Sequence, residues 1–156
     1  MKTGNGLRFG EGFDTCRVVM KHGGKQDAAP FGANKRNDYR IGMAGEVLAA
    51  AYLKNKGYEL LTSNYRFAHR EIDLILKKDG ELVFVEVKTR APNSLVTAPG
   101  SVDMRKQMFL YSVASKYIHE NRCRENVRFD IVWIERRGSA CRVVEHIRNA
   151  FSPFGG

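Results

Sequence analysis

Nowhere in the 156 residues is there an apolar run near the about 18 residues that a membrane-spanning helix needs. The N-terminus also lacks the apolar core of a secretory signal. These two absences predict a cytoplasmic protein with no membrane partner. Cysteine is scarce and badly placed for pairing: Cys16, Cys123 and Cys141 are odd in number, far apart, and in no Cys-x-x-Cys or Cys/His cluster. A disulfide framework and a zinc site are therefore both disfavoured, and reduced thiols fit best. His22, His69, His119 and His146 show no ligand spacing among themselves and read as structural or solvent-exposed. His69 stands out only by preceding Arg70 and an acidic segment. Trp133, the one tryptophan, reads as core.

Acidic residues are also in deficit, 17 against 26 lysines and arginines, for a formal charge of +9. That excess favours a polyanionic partner, because cations gain affinity by releasing counterions from phosphates. Alone it fits a ribosome-associated protein, a membrane-surface binder or a nuclease equally. Residues 1–38 read as a basic arm, disordered or loosely attached, with seven Lys/Arg against four Asp/Glu. The base excess extends beyond this arm. Residues 39–150 read as one folded domain and 151–156 as a C-terminal tail.

Within the domain the apolar pattern predicts a helix from Tyr39 to Lys56, with Met43, Val47, Tyr52 and Ala49-Ala50-Ala51 covering most of its circumference and Gly57 stopping it. Between Gly42 and Leu53 its sole charge is Glu46. A carboxylate in such surroundings needs a partner, a cation or a metal, unless it lies on an exposed stripe. Three strands are predicted next, Tyr58–Arg66, Glu71–Lys77 and Leu82–Arg90. Asp79-Gly80 closes the last two into a hairpin, since a type I′ turn needs two residues at positive φ. That two-residue loop sets Lys78 opposite Glu81, Ile75 opposite Phe84, Asp73 opposite Glu86 and Glu71 opposite Lys88.

The strand from Leu82 to Arg90 puts Leu82, Phe84, Glu86, Lys88 and Arg90 on one face, oily at one end and charged at the other. By itself it reads as an edge strand reaching solvent. Facing Asp73 and Glu86 change that, because like charges about 5 Å apart are destabilising without compensation. Two hard carboxylates suit Mg²⁺ or Mn²⁺. Ala91–Gly100, with Pro92 and Pro99, reads as a loop placed to gate a substrate. A second helix follows from Val102 to Asn121, with Met104, Met108, Tyr111, Val113, Ala114, Tyr117 and Ile118 buried. Its first turn carries Arg105, Lys106 and Gln107, a solvated face or a phosphate contact. Two more strands, Arg128–Glu135 and Cys141–Arg148, flank the Arg136-Arg137-Gly138-Ser139 turn.

Glu46, Glu71-Ile72-Asp73 and Glu86-Val87-Lys88 form an ordered set that resembles the PD-(D/E)xK nuclease signature. Together with Gly45, Gly57-Tyr58, Phe84-Val85, Thr89-Arg90 and Arg128-Phe129-Asp130, they resemble the YraN family of bacterial proteins, grouped with restriction-endonuclease-like folds and near Holliday junction resolvases. The resemblance implies an α/β fold, a central mixed sheet of about five strands flanked by two main helices. It implies a Mg²⁺ or Mn²⁺ held by Asp73, Glu86 and the Val87 carbonyl, with Glu46 completing the site. Lys88 would orient the attacking water, and Arg70, Arg90, Lys106 and Gln107 would contact nucleic acid. The implied activity is DNA phosphodiester hydrolysis, on branched or damaged duplexes, by a monomer or homodimer. RNA is the weaker target, since no aromatic RNP-type motif is present. The alternative is a nuclease-fold module that binds nucleic acid or a protein partner without useful catalysis. Arg70 departs from the family, which has Gly there, and so does the Ala91–Gly100 loop.

Overall fold

Five segments of alternating or continuous apolar residues pair into one sheet, and two helices cover its two faces. The computed structural model of the chain describes residues 33–92 and 102–152, of which 33–41 as backbone only. The elements run α1 (Ala33–Asn55), β1 (Glu59–Phe67), β2 (Arg70–Lys78), β3 (Glu81–Arg90), α2 (Met104–Asn121), β4 (Asn126–Arg137) and β5 (Ala140–Phe151). The sheet order is β1-β2-β3-β4-β5. Only β3 and β4 are parallel, because α2 carries the chain back between them. This is the mixed five-stranded α/β sheet with two helices that the sequence implies.

The α2 face holds Ile75, Leu82, Phe84, Leu110, Val113, Tyr117, Phe129, Ile131 and Trp133. The α1 face holds Leu48, Ala49, Leu53, Leu74, Leu76, Val83, Val85, Val132 and Ile134. Strand alternation sorts these residues, and burying them from water stabilises both layers. Trp133 is core, as expected, at 6% exposure. Asp79 and Gly80 turn at φ of 51° and 79°, and Gly57 ends α1 at 82°, as the turn chemistry requires. Asp103 caps α2 by accepting from the Arg105 N–H.

Several expectations need correction. The first helix starts at Ala33, not Tyr39, so residues 33–38 belong to it rather than to an arm. Asn34 to Asp38 are all polar and offer no apolar period to read. Residues 1–32 lie outside the described residues, as do 93–101, which carry most of the proposed gating loop, and 153–156. Met43 and Val47 are exposed, and so are Met104 and Met108. Each helix packs one stripe on one sheet face: Leu48 and Leu53 fill that of α1 with the expected Ala49, and Leu110 fills that of α2 with the expected Val113, Ala114 and Tyr117. Val102 and Asp103 precede α2. Phe151, assigned to a tail, ends β5 and is buried. Among the described residues no helix is long and apolar enough to cross a membrane.

Candidate metal and phosphate site

The β2–β3 hairpin keeps the predicted register through five pairs, from Lys78↔Glu81 to Leu74↔Val85, and the ladder stops there. On its other side β2 pairs Ser63↔Leu74 and then Tyr65↔Ile72, skipping Asp73. Alternation breaks at the same residue, since Ile72 and Ile75 both join the α2 face while Leu74 lies on the α1 face. Asp73 thus sits where the sheet opens. Its Oδ2 accepts from the Val87 N–H at 2.6 Å, a side chain doing what a backbone carbonyl does elsewhere in the ladder. Asp73 does not reach Glu86 as a ladder pair, yet both border one cleft of about 420 Å³ with Glu46, Val87 and Arg90.

Glu86 is buried at 8% exposure. Its Oε1 meets Lys106 Nζ at 3.1 Å and Lys88 Nζ at 3.6 Å. Its Oε2 is buried with no hydrogen-bond partner. Burial first, then the Glu86 charge and the more distant Glu46, push Asp73 up to about 7, against the Val87 hydrogen bond and Lys106. A buried carboxylate oxygen without a partner and a neighbouring carboxylate that resists ionisation would both be relieved by an added positive charge. The residues therefore fit a hard divalent cation. Among the described residues no three acidic, histidine or cysteine side chains gather closely enough to hold one alone. Such a cation would draw on Asp73, Glu86 and backbone oxygen, the rest coming from phosphate and water, as is usual for Mg²⁺.

The remaining predicted residues divide. Glu46 is half-buried and accepts from Asn64 Nδ2 at 3.0 Å, so its partner is an amide rather than a cation. Lys88 and Lys106 join the site through Glu86. Arg90 lies over the Trp133 ring at 5.3 Å and lines the same cleft. Arg70 and His69 line an adjoining cleft that shares Gly42, Glu46 and Asp73 with the first. Gln107 turns away and donates to the Val102 carbonyl at 2.8 Å, fastening the start of α2. Glu71 pairs with Arg66 at 2.6 Å instead of facing Lys88, because the β2–β3 ladder has already ended.

Two residues support the site in ways the sequence reading did not assign. Asn64, at φ 53°, bends β1 where the ladder skips and holds Glu46. An Asn inside a strand pattern was the available sign, since Asn tolerates positive φ and disfavours strands. Gly45 lets α1 approach β3, because a Cβ there would come within 2.5 Å of Thr89 Oγ1. That close approach delivers Glu46 to the cleft edge.

Relatives share this frame. A UPF0102 protein of Alkaliphilus oremlandii is 41% identical over 115 residues, 72% of this chain and 97% of the relative. One of Chlorobium chlorochromatii is 39% identical over 117 residues, 71% of this chain and 90% of its own length. One of Parabacteroides distasonis is 36% identical over 117 residues, 75% and 94% respectively. The model of the uncharacterised protein family UPF0102 matches residues 45–134, from the glycine before Glu46 to the strand beside Lys88. Over that span, and on those relatives, the chain belongs to the uncharacterised protein family UPF0102.

Proposed function

We propose that the protein is a metal-dependent endonuclease of PD-(D/E)xK type that hydrolyses DNA phosphodiester bonds. The observation that carries this reading is the sheet opening at Asp73, beside a buried Glu86 oxygen that has no partner. Asp73 and Glu86, with the Val87 carbonyl, would hold Mg²⁺ or Mn²⁺. A cation bound there supplies Lewis-acid stabilisation of the charge that builds on the phosphoryl oxygens. Lys88, in reach of Glu86 Oε1, would orient the attacking water and compensate the hydroxide as its proton passes to bulk water, a new P–O bond forms and the P–O bond to the departing strand's oxygen breaks. Lys106 meets the same carboxylate from α2 and is placed to meet a phosphate oxygen when Glu86 turns to a metal. Glu46 borders the cleft from α1 and can accept a proton or a water there.

Cleavage of flap and four-way DNA with Mn²⁺ is the direct test. Glu86→Gln and Lys88→Ala should each lower the rate by about a hundredfold or more while leaving the melting temperature within a few degrees. Full activity in both variants would sink the assignment.

One observation favours a second reading. Lys106 already neutralises Glu86 at 3.1 Å, so the chain can satisfy part of this charge without a metal. On that reading the fold binds nucleic acid without turnover. Calorimetry separates the two: Mn²⁺ binding that disappears in Asp73→Asn and Glu86→Gln supports the nuclease, and no such binding at millimolar Mn²⁺ supports the module.

A further inference from the structure

The hydrolysis just proposed uses the cleft on one side of Asp73. On the other side the surface continues into a second cleft of about 460 Å³, between the β1–β2 hairpin and the start of α2. The two clefts share Gly42, Glu46 and Asp73, so whatever lies over the carboxylates can extend into both. Within the second cleft the Arg70 guanidinium stacks 4.2 Å over the Phe109 ring. Its Nη1 donates to Ser112 Oγ at 2.7 Å, and Ser112 in turn donates to the Phe109 carbonyl at 2.8 Å. The guanidinium plane is thus fixed without a ligand. Phe109 remains 36% exposed in a cleft it shares with Lys106 and His69.

We propose that this cleft is a base pocket: an unpaired base, adjacent to the phosphodiester at Asp73 and Glu86, stacks on the Arg70–Phe109 platform. Guanidinium planes and aromatic rings are the two surfaces on which proteins stack splayed-out bases, and here one is laid on the other. The volume suits a small ligand. Lys106 lines the pocket and also pairs with Glu86 at 3.1 Å, so it is in reach of the phosphate that would join such a base to the strand over the carboxylates. A base inside an intact duplex has both faces covered by its neighbours and cannot enter. The preferred substrate is therefore a single strand, a flap or a frayed end. The inference rests on the nuclease reading for the neighbouring phosphate, but binding alone tests the pocket.

The experiment uses the full chain in a chelating buffer, where no cleavage can occur, with an oligodeoxythymidine carrying one 2-aminopurine, alone and annealed to its complement. Binding should quench the single-stranded probe by stacking and favour it over the duplex by about tenfold. Phe109→Leu and Arg70→Lys, which keeps the charge but loses the stacking plane, should each remove the quenching and most of that preference while leaving duplex affinity and melting temperature unchanged, and Phe109→Trp should retain both signals. Equal affinity for the two probes without quenching overturns the pocket. So does a loss in the variants that runs parallel for single strand and duplex, or that follows a fall in melting temperature, since Arg70 and Phe109 would then merely clamp the hairpin to α2. Manganese-dependent cleavage by a wild-type protein that shows no such preference rejects the pocket and keeps the nuclease. A preference that depends on Phe109, in a protein that never cuts, does the reverse.

Discussion

A carboxylate held up to about 7 by burial and by a second carboxylate is a standing cost to the fold. Unfolded aspartate titrates at about 3.9, so between roughly pH 4 and pH 7 the unfolded chain releases a proton that folded Asp73 keeps. Stability attributable to this group therefore falls as pH rises through that window, and the whole penalty is present above it. In a chelating buffer Asp73→Asn should be more stable than wild type at pH 8 by on the order of 2 kcal/mol, a gain that fades towards pH 4. Urea unfolding at both values checks this, and an equal effect at pH 4 and pH 8 would remove ionisation from the explanation. Gly45 is the steric counterpart. In Gly45→Ala the new Cβ meets Thr89 Oγ1, on a β-branched side chain with little rotamer freedom, so α1 must move off β3 at a cost of about 1–3 kcal/mol. Adding Thr89→Ala removes the obstructing oxygen and should recover most of that loss.

At the scale of elements, what was legible depended on whether the signal was local. Asp79-Gly80 fixed the hairpin and its register, because two positive φ values are a property of two adjacent residues. Strand alternation likewise separated the sheet's two faces. The break in that alternation at Asp73 was missed, although Asn64, the strand-disfavouring residue across from it, was a local sign of it. The buried stripes of the helices were legible in part: Val113, Ala114 and Tyr117 were read as buried and are, but exposed Met43, Val47, Met104 and Met108 look as apolar as the residues that pack. Arg128-Phe129-Asp130 was visible as wording but not as a network. Strand alternation puts Arg128 and Asp130 on the α1 face, yet their partners come from three other segments. Arg128 reaches Glu81 at the start of β3 and the Tyr58 hydroxyl, while Asp130 accepts from Arg128, from the Asn149 N–H and lies 2.9 Å from His146 Nε2. Burial opposes the Asp130 charge, but these hydrogen bonds from His146, Arg128 and Asn149 prevail and hold its carboxyl below the usual range. Its stability contribution is present above about pH 4 and is lost as pH falls through the lowered value, the opposite sign to Asp73. Asp130→Ala takes from buried Arg128 its bidentate carboxylate and leaves it Glu81 and the Tyr58 hydroxyl, so it should cost about 3 kcal/mol, the low end for breaking a buried pair, read by urea unfolding at neutral pH.

Across the whole molecule, this network and the two clefts divide the charged residues between holding the fold and meeting a ligand. The network runs from the Asp130 carboxylate to Glu81 at the start of β3, whereas the clefts gather at the strand's far end, around Glu86 to Arg90. Arg90 and Arg136 line one cleft, and Lys106 and Arg70 line the other, so cations stand on both sides of the paired carboxylates. A nucleic-acid backbone crossing the site would meet both groups and displace counterions from each phosphate it pairs. The net charge of +9 would then act locally as well as at long range. Single-strand affinity should fall linearly on a log–log plot against salt, with Arg90→Ala and Arg136→Ala each reducing the slope by about 0.7 and together by about 1.4. Fluorescence titrations across a series of salt concentrations read this directly. Slopes unchanged in the double variant would place the backbone elsewhere on the surface and leave the carboxylate cleft without a path for its substrate.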